Sequence, residues 1–401
     1  MRIAVFTNGY RPTINGVVNS IEAFRHGLEA AGHTVFVFAP APYQPTEDPE
    51  FVFRYPSRTL GRCPDHPVAL PFGRPSGRGP ADPPVDIVHT QHPWWVGDWG
   101  LAHARRHRVP CVTTIHTQYE QYAHYGWPAP PALLRAVLRA RVRRHCRRCQ
   151  VVMTPGEAMR EYLVALGINR PIQVVPNATD LSGFDTADGS RVREAYGVAP
   201  GEVLFTFVGR AAREKNLDHL IRAFAIVAEK LPASKLMIVG GGPVLEALKA
   251  LAAAQPCADR IILTGLVPYE EISGYHAAAE VFVTASVTEV QPLSINEAMA
   301  ARTPIAGVDA GGINDMVRHG ETGLLSAPAE GLEGLARVML ELGRDPERRA
   351  SLAAAAQRAS MKYHIPQATE CLLEVYRQAM GLYETERPRR AARPNEATSG
   401  L

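Results

Sequence analysis

Two short stretches hold the residues best placed to do chemistry. The first is Gly209-Arg210-Ala211-Ala212-Arg213-Glu214-Lys215-Asn216. It follows an apolar run and leads into an amphipathic one, so Arg210 and Lys215 stand at the mouth of a sheet where a strand turns into a helix. Cationic side chains beside the first N–H groups of a helix suit a diphosphate. A solvated basic turn with Asn216 as helix cap accounts for the same residues. The second stretch is Glu289-Val290-Gln291-Pro292-Leu293-Ser294-Ile295-Asn296-Glu297. It also runs from an apolar strand into a helix, with one carboxylate in the loop and the other in the first helical turn. Carboxylate oxygens accept hydrogen bonds from sugar and ribose hydroxyls. Ser294-x-x-Glu297 also reads as a capping box, in which Glu297 closes the helix end.

The elements that must position these groups alternate through the chain. Residues 3–7 form a continuous apolar strand of the kind buried in a parallel sheet. A glycine- and proline-bearing loop over 8–17, a helix over 20–31 and a strand over 33–39 complete a βαβ opening. Strands are expected at 86–91, 109–116, 151–154 and 172–175, with helices between them. The pattern then restarts with strands at 203–208, 235–239, 260–263, 281–284 and 304–308. Residues 58–84 are rich in glycine and proline and read as one long irregular segment. The fold class is therefore α/β, with two Rossmann-like domains over 1–180 and 181–365. Parallel sheets of this kind bind ligands at the carboxyl ends of their strands, and two in series would face each other across a cleft. A helix over 366–385 follows, and residues 386–401 read as a disordered tail.

In order along the chain, Gly209-Arg210 with Glu214-Lys215-Asn216, then Glu289 and Glu297, resemble the signature of the family-four retaining glycosyltransferases of the GT-B fold. Asn15-Gly16-Val17, Pro176-Asn177 with Asp180, Gly240-Gly241-Gly242-Pro243, Gly311-Gly312, Asp315 and the run GETGLL at 320–325 also match. The resemblance covers residues 1 to about 383. It implies that Arg210 and Lys215 hold the diphosphate of a nucleotide sugar and stabilise its charge as it leaves. It implies that Glu297 binds the ribose and Glu289 the donor sugar. Gly16 would admit close backbone approach, Leu266-Val267 would flank the base, and Gln291 and Leu293 would line the donor. The last helix would cross back onto the first domain. His116 would stand beside the donor sugar, bonding a hydroxyl and polarising the transition state. Pro292 departs from the pattern, since relatives usually carry glycine there. It has no N–H to give a sugar, unless Leu293 supplies that donor.

The segment Tyr119-Glu120-Gln121-Tyr122-Ala123-His124-Tyr125 resembles a stretch in the diacylglycerol glycosyltransferases of this family. Tyr119, Glu120 and His124 are accordingly the acceptor-side candidates, although an aromatic loop packed under the domain fits the same composition. A helix over 131–149 carries Arg135, Arg139, Arg141, Arg143, Arg144, Arg147 and Arg148 among apolar residues. It suits the headgroups of an anionic membrane, or a plain solvated face.

The 401 residues are 46% hydrophobic and 21% charged, which excludes a disordered chain. The net charge of +3 gives no reason to expect nucleic acid as a partner. The six cysteines are scattered, and the pair Cys146 and Cys149 lacks the second pair that a zinc site requires. No Asp-x-Asp metal motif stands out, so neither metal nor cofactor is expected in the reaction. The opening MRIAVF reads as a first strand, not as a signal peptide, and no apolar stretch reaches membrane-spanning length. The expected setting is cytoplasmic, at the inner face of the cell membrane. The activity implied is transfer of a hexose, with UDP-glucose the expected donor, to a lipid such as diacylglycerol. A soluble sugar, polyol or natural-product acceptor, or a sugar-nucleotide-binding protein without catalysis, are the alternatives.

Overall fold

The inner apolar runs become parallel strands because they are buried on both faces and can pair only within a covered sheet. The computed structural model describes residues 1–13, 15–42, 47–58, 68–70, 75–77, 79, 82–120 and 130–391. In chain order the first unit holds β1 (Arg2–Phe6), α1 (Gly16–Ala30), β2 (Thr34–Pro40), β3 (Val52–Tyr55), β4 (Ser57–Arg58), β5 (Val68–Ala69), β6 (Ile87–Thr90) and α2 (Val96–His107). It continues with β7 (Cys111–Thr114), α3 (Pro131–Cys146), β8 (Val151–Thr154), α4 (Glu157–Ala165) and β9 (Ile172–Val174). Seven strands form one sheet in the order β3-β2-β1-β6-β7-β8-β9, paired parallel throughout. β4 and β5 make a separate antiparallel pair.

The second unit holds α5 (Ser190–Ala195), β10 (Val203–Val208), α6 (Leu217–Lys230), β11 (Ser234–Val239), α7 (Leu245–Ala253), β12 (Ile261–Gly265) and α8 (Ile272–Ala277). Then come β13 (Val281–Thr284), α9 (Leu293–Ala300), β14 (Ile305–Val308), α10 (Ile313–Met316), β15 (Gly323–Ser326), α11 (Gly331–Arg344) and α12 (Pro346–Ser360). Its six strands run in the order β12-β11-β10-β13-β14-β15, again all parallel. One face packs Phe205, Phe224 and Val283 against α6 and α11. The other packs Leu204, Met237, Phe282 and Ile295 with α8 and α9.

Both sheets reverse strand order beside their first strand, between β1 and β6 and between β10 and β13. Loops at the carboxyl ends of those strands are where an open parallel sheet takes its ligand. The switch point of the second unit is therefore flanked by the two motif stretches, one leaving β10 and the other leaving β13.

The last helix, α13 (Ile365–Ala391), belongs to the first unit, which comprises Met1–Ala178 and the segment from Ile365 onward, while Thr179–His364 form the second. Leu372, Leu373, Tyr376 and Ala379 join the core made by Ile3, Val5 and Val112. Gly27 of α1 sits so close to this helix that a Cβ there would lie 2.1 Å from Thr369 Oγ1. α13 continues past the expected end at 385, which corrects the reading of a tail from 386. An ion pair of Glu386 with Arg170 fastens its last turns to the unit.

Two further expectations change. Residues 52–55 form a buried strand within a stretch the sequence reading left unassigned. Its Phe53 stacks on Phe38 at 4.8 Å, and Phe38 stacks on Phe6 at 4.5 Å. The basic helix closes at Cys146, not at 149, so Cys149 lies in the turn that follows.

Candidate active site

β10 is six consecutive buried residues, VLFTFV, and ends where Gly209 adopts φ +154. The chain then makes a 3₁₀ turn over Arg213–Lys215 and passes through Asn216 at φ +53 before α6 begins. A left-handed residue there turns Lys215 back across the sheet end, and asparagine tolerates that conformation better than most residues. Three contacts bind this loop to the one leaving β13. Lys215 Nζ pairs with Glu289, the Asn216 amide donates to Ala285 O at 3.2 Å, and Ser286 Oγ donates to Glu214 O at 2.9 Å. The two motif stretches are thus one assembly. Lys215 and Glu289 are both largely sheltered, with 22% and 15% of their side chains exposed. Arg210 is exposed and has no side-chain partner among the described residues.

Glycines allow the neighbouring loops to close in. A Cβ on Gly312 would lie 1.7 Å from Val290 O, and one on Gly311, at φ +52, would lie 2.7 Å from Glu289 O. Gly312 N donates to Glu289 O at 2.6 Å. The Gly311-Gly312 pair therefore fixes the backbone that carries Glu289.

Glu297 is not a cap. α9 starts at Leu293 with Pro292 in the cap position at φ −73, so Ser294 is already the second helical residue and Glu297 the fifth. Proline presets φ at a helix entry, which moves the start two residues ahead of a Ser294 cap. Glu297 is 5% exposed, accepts from Tyr269 OH at 3.1 Å, and lies 3.5 Å from Nε2 of the buried His276. That last approach is not an aligned hydrogen bond. Tyr269 follows Leu266 and Val267 in the loop after β12. Val267 packs onto the core of the unit, while Leu266 is 86% exposed. Gln291 is buried and Leu293 half-buried. As the first helical residue, Leu293 has an N–H with no intrahelical acceptor, which is the donor that Pro292 lacks.

In the first unit, Gly16 opens α1 behind Asn15, whose side chain accepts from Val18 N at 2.9 Å. A Cβ on Gly16 would meet nothing within 4 Å, so the protein's own packing does not require glycine there. His116, just beyond β7, belongs to a buried relay that the sequence did not reveal. Its Nε2 donates to Gln91 Oε1 at 2.6 Å, and the Gln91 amide donates to His89 Nε2 at 3.2 Å. His89 Nδ1 is 2.9 Å from the hydroxyl of Tyr376 on α13, and Thr114 Oγ1 is 2.7 Å from His89 Nε2. With the amide assigned this way, His89 carries its proton on Nδ1 and His116 on Nε2, which leaves the His116 Nδ1 lone pair free to accept. Burial pushes the His116 pKa down to about 3, assisted by His92 and His89, so the ring is neutral near pH 7.

The acceptor-side candidates have structural partners. Glu120 is gripped by Arg139 of α3 at 2.6 and 2.7 Å and accepts from Tyr162 OH at 3.0 Å. Its pKa is held below the ordinary range mainly by the Arg139 hydrogen bonds. Tyr119 packs edge-on against Trp94 at 4.3 Å between ring centres. His124 lies outside the described residues. Next to Trp94, Trp95 is 52% exposed and holds φ +48. A large side chain in that backbone region is strained, a condition that collects at functional sites. Only the doubled tryptophan in the sequence could have drawn attention to it.

The model for "Glycosyltransferase Family 4" matches residues 14–182, and that for "Glycosyl transferases group 1" matches residues 190–359. The alpha-monoglucosyldiacylglycerol synthase of Streptococcus pneumoniae is 31% identical over 321 residues, covering 76% of this chain and 70% of that protein. The chain belongs to glycosyltransferase family 4. A synthase of the same description from Acholeplasma laidlawii is 30% identical over 76% of this chain and 79% of its own. A GDP-mannose-dependent alpha-mannosyltransferase of Mycobacterium tuberculosis is 30% identical over 96% of this chain and 99% of its own. Among solved structures, Anabaena Alr3699/HepE in complex with UDP superposes with a TM-score of 0.72 at 18% identity, over 94% of this chain and 99% of that one. Sucrose-phosphate synthase from Thermosynechococcus elongatus gives 0.72 at 20% identity, over 95% and 99%. At such identities the likeness speaks for the fold, which is the expected GT-B class of two Rossmann-like units.

Proposed function

We propose that this family-four glycosyltransferase moves glucose from UDP-glucose to a hydroxyl of a lipid such as diacylglycerol, with the anomeric configuration retained and without metal or cofactor. The observation that carries the donor reading is the stitched pair of loops at the β10/β13 switch point, with Lys215 held on Glu289. A lysine ammonium has three N–H groups, so Lys215 can keep Glu289 and still donate to a phosphate oxygen. Arg210 and Lys215 would then neutralise the diphosphate as its bond to the sugar breaks. Glu289 and Gln291 would meet the sugar, the Leu293 N–H would add a donor, Glu297 would take the ribose, and Val267 would flank the base. His116 would accept from a sugar hydroxyl through Nδ1. No carboxylate is assigned as a nucleophile, so the acceptor oxygen would bond to the anomeric carbon on the face from which the phosphate leaves, and the departing phosphate would help to take the acceptor proton.

The lipid reading rests on the two glucosyldiacylglycerol synthases among the relatives and on the surface of the first unit. Exposed Trp95 and the exposed Leu133 and Val137 of α3, which lie among arginines, are apolar groups beside cationic ones. Such a surface suits peripheral contact with an anionic membrane. No helix among the described residues is long and apolar enough to cross one. Tyr119, Glu120 and His124 remain the proposed acceptor side. A second reading, mannose from GDP-mannose or a soluble acceptor, is favoured by the near full-length match to the mannosyltransferase.

The test is a transfer assay with UDP-glucose and GDP-mannose, each offered diacylglycerol in anionic vesicles or soluble sugars and polyols, with the product anomer read by NMR. An α-glucosyl lipid made only in the vesicle arm supports the proposal. Full activity on soluble acceptors without lipid, or an inverted product, overturns it.

A further inference from the structure

In the first unit, outside the site already described, three side chains that the transfer reaction does not use converge. The segment at Asp82 leads into β6, and α2 returns alongside the sheet after it, which brings His103 and His107 back beside Asp82. The two histidines are four positions apart, on one face of the helix. Their rings stack with centres 4.2 Å apart. Asp82, His103 and His107 each offer a ligand atom, and these atoms all lie within 4.8 Å of one another.

We infer that Asp82, His103 and His107 form a binding site for a divalent transition ion of the zinc kind, which fastens the segment leading into β6 to helix α2. Two imidazoles and one carboxylate are a borderline-soft donor set that suits zinc and its neighbours better than magnesium or calcium. In a tetrahedral shell with bonds of roughly 2.1 Å, ligand atoms stand about 3.4 Å apart. Side-chain rotations of about 1 Å would therefore complete the shell, with water in the remaining position.

Three features prepare the site. His103 Nε2 is buried and makes no hydrogen bond among the described residues, so one ring nitrogen is desolvated without compensation. Asp82 is already oriented. One oxygen is 2.8 Å from His107 Nε2, while the other is held at 2.8 Å by Arg106, an outer partner of the kind that aims ligating carboxylates. Phe6 and Phe38 pack against His103 at 5.4 and 5.5 Å and wall that side with apolar surface.

The experiment uses the full chain, stripped with chelator and titrated with Zn²⁺ alone against a chromophoric competitor, with Co²⁺ absorption as a second reading of coordination. One equivalent bound, a d–d band of four-coordinate cobalt and a raised Tm are expected. His107→Gln keeps a donor for Asp82 but removes the imidazole, and should weaken binding by on the order of 100-fold. His103→Ala should do the same, and His26→Gln, on the exposed face of α1, should not. No stoichiometric binding, or wild-type affinity in folded His107→Gln protein, overturns the site and leaves the cluster a plain histidine–aspartate pair.

Discussion

His89 and His145 are 3% and 1% exposed, and burial lowers each pKa from 6.5 to about 3. Because the folded value is depressed, the stability each contributes is complete above about pH 6.5. It is lost progressively as the pH falls, until at about pH 3 the folded form takes the proton as well. At pH 5.5 the unfolded chain gains RT ln(1 + 10), about 1.4 kcal/mol, for each such residue. The two together therefore remove about 3 kcal/mol from a total that is typically ~5–15 kcal/mol. For a unit of this size that share alone is a fall in Tm of about 6–12 °C, and His92, His103 and His116, which burial also lowers, add to it equally in the wild type and the double variant. Paired carboxylates do not confuse this window. Asp86 and Glu120 have folded values below their ordinary 3.8 and 4.5, so what they contribute is lost only at lower pH. All four tryptophans, Trp94, Trp95, Trp99 and Trp127, lie in the first unit, so their fluorescence reports its melting separately from the second. The assay is thermal unfolding by tryptophan fluorescence at pH 7.5 and 5.5, on the wild type and on His89→Gln/His145→Gln. A Tm that stays level for the wild type, or falls equally in the double variant, would refute the reasoning.

Three other perturbations test the site. Gly312→Ala drives a Cβ into Val290 O and should displace Glu289, cutting the transfer rate by about 10²-fold, read by steady-state kinetics against an unchanged far-UV spectrum. Gln91→Leu removes the acceptor that fixes the His116 tautomer. It should lower kcat by at least tenfold with a smaller change in KM, and Gln91→Glu, which keeps an acceptor, should recover part of the loss. Trp95→Gly relieves a strained backbone position, because it removes the Cβ, and also removes an exposed ring. Co-sedimentation with anionic vesicles should fall several-fold while thermal stability holds or rises.

What the sequence made legible follows from local physics. The runs at 3–7, 203–208 and 281–284 are apolar on both faces and could only be inner strands. The stretches leaving β10 and β13 declared their charges by position. The strand Val52–Tyr55 escaped because its Arg54 looks like a surface residue. In the fold it is 7% exposed and neutralised by Asp48 at 2.7 Å. The capping-box reading of Glu297 failed because Pro292 itself starts the helix, a choice of φ that outweighs the Ser-x-x-Glu pattern. The relay behind His116 was out of reach for another reason. His89 and Tyr376 are 287 positions apart, and only the packing of α13 onto the first sheet joins them. For Glu120, the unseen fact was its partner. Arg139, nineteen positions on, ties this acceptor-side candidate to α3.

The central claim is that Arg210, Lys215, Glu289 and Glu297 hold one sugar nucleotide on the second unit. Calorimetric titration of UDP and GDP into the wild type, Arg210→Ala, Lys215→Ala and Glu297→Gln tests it without any knowledge of the acceptor. One nucleotide should bind the wild type at a single site. Each cation variant should lose roughly 10–100-fold, the worth of a charge-assisted hydrogen bond to phosphate. Glu297→Gln, titrated with UDP and with 2′-deoxy-UDP, should lose affinity mainly for the ribose form, so that discrimination between ribose and deoxyribose narrows. Wild-type affinity in both Arg210→Ala and Lys215→Ala would contradict the account.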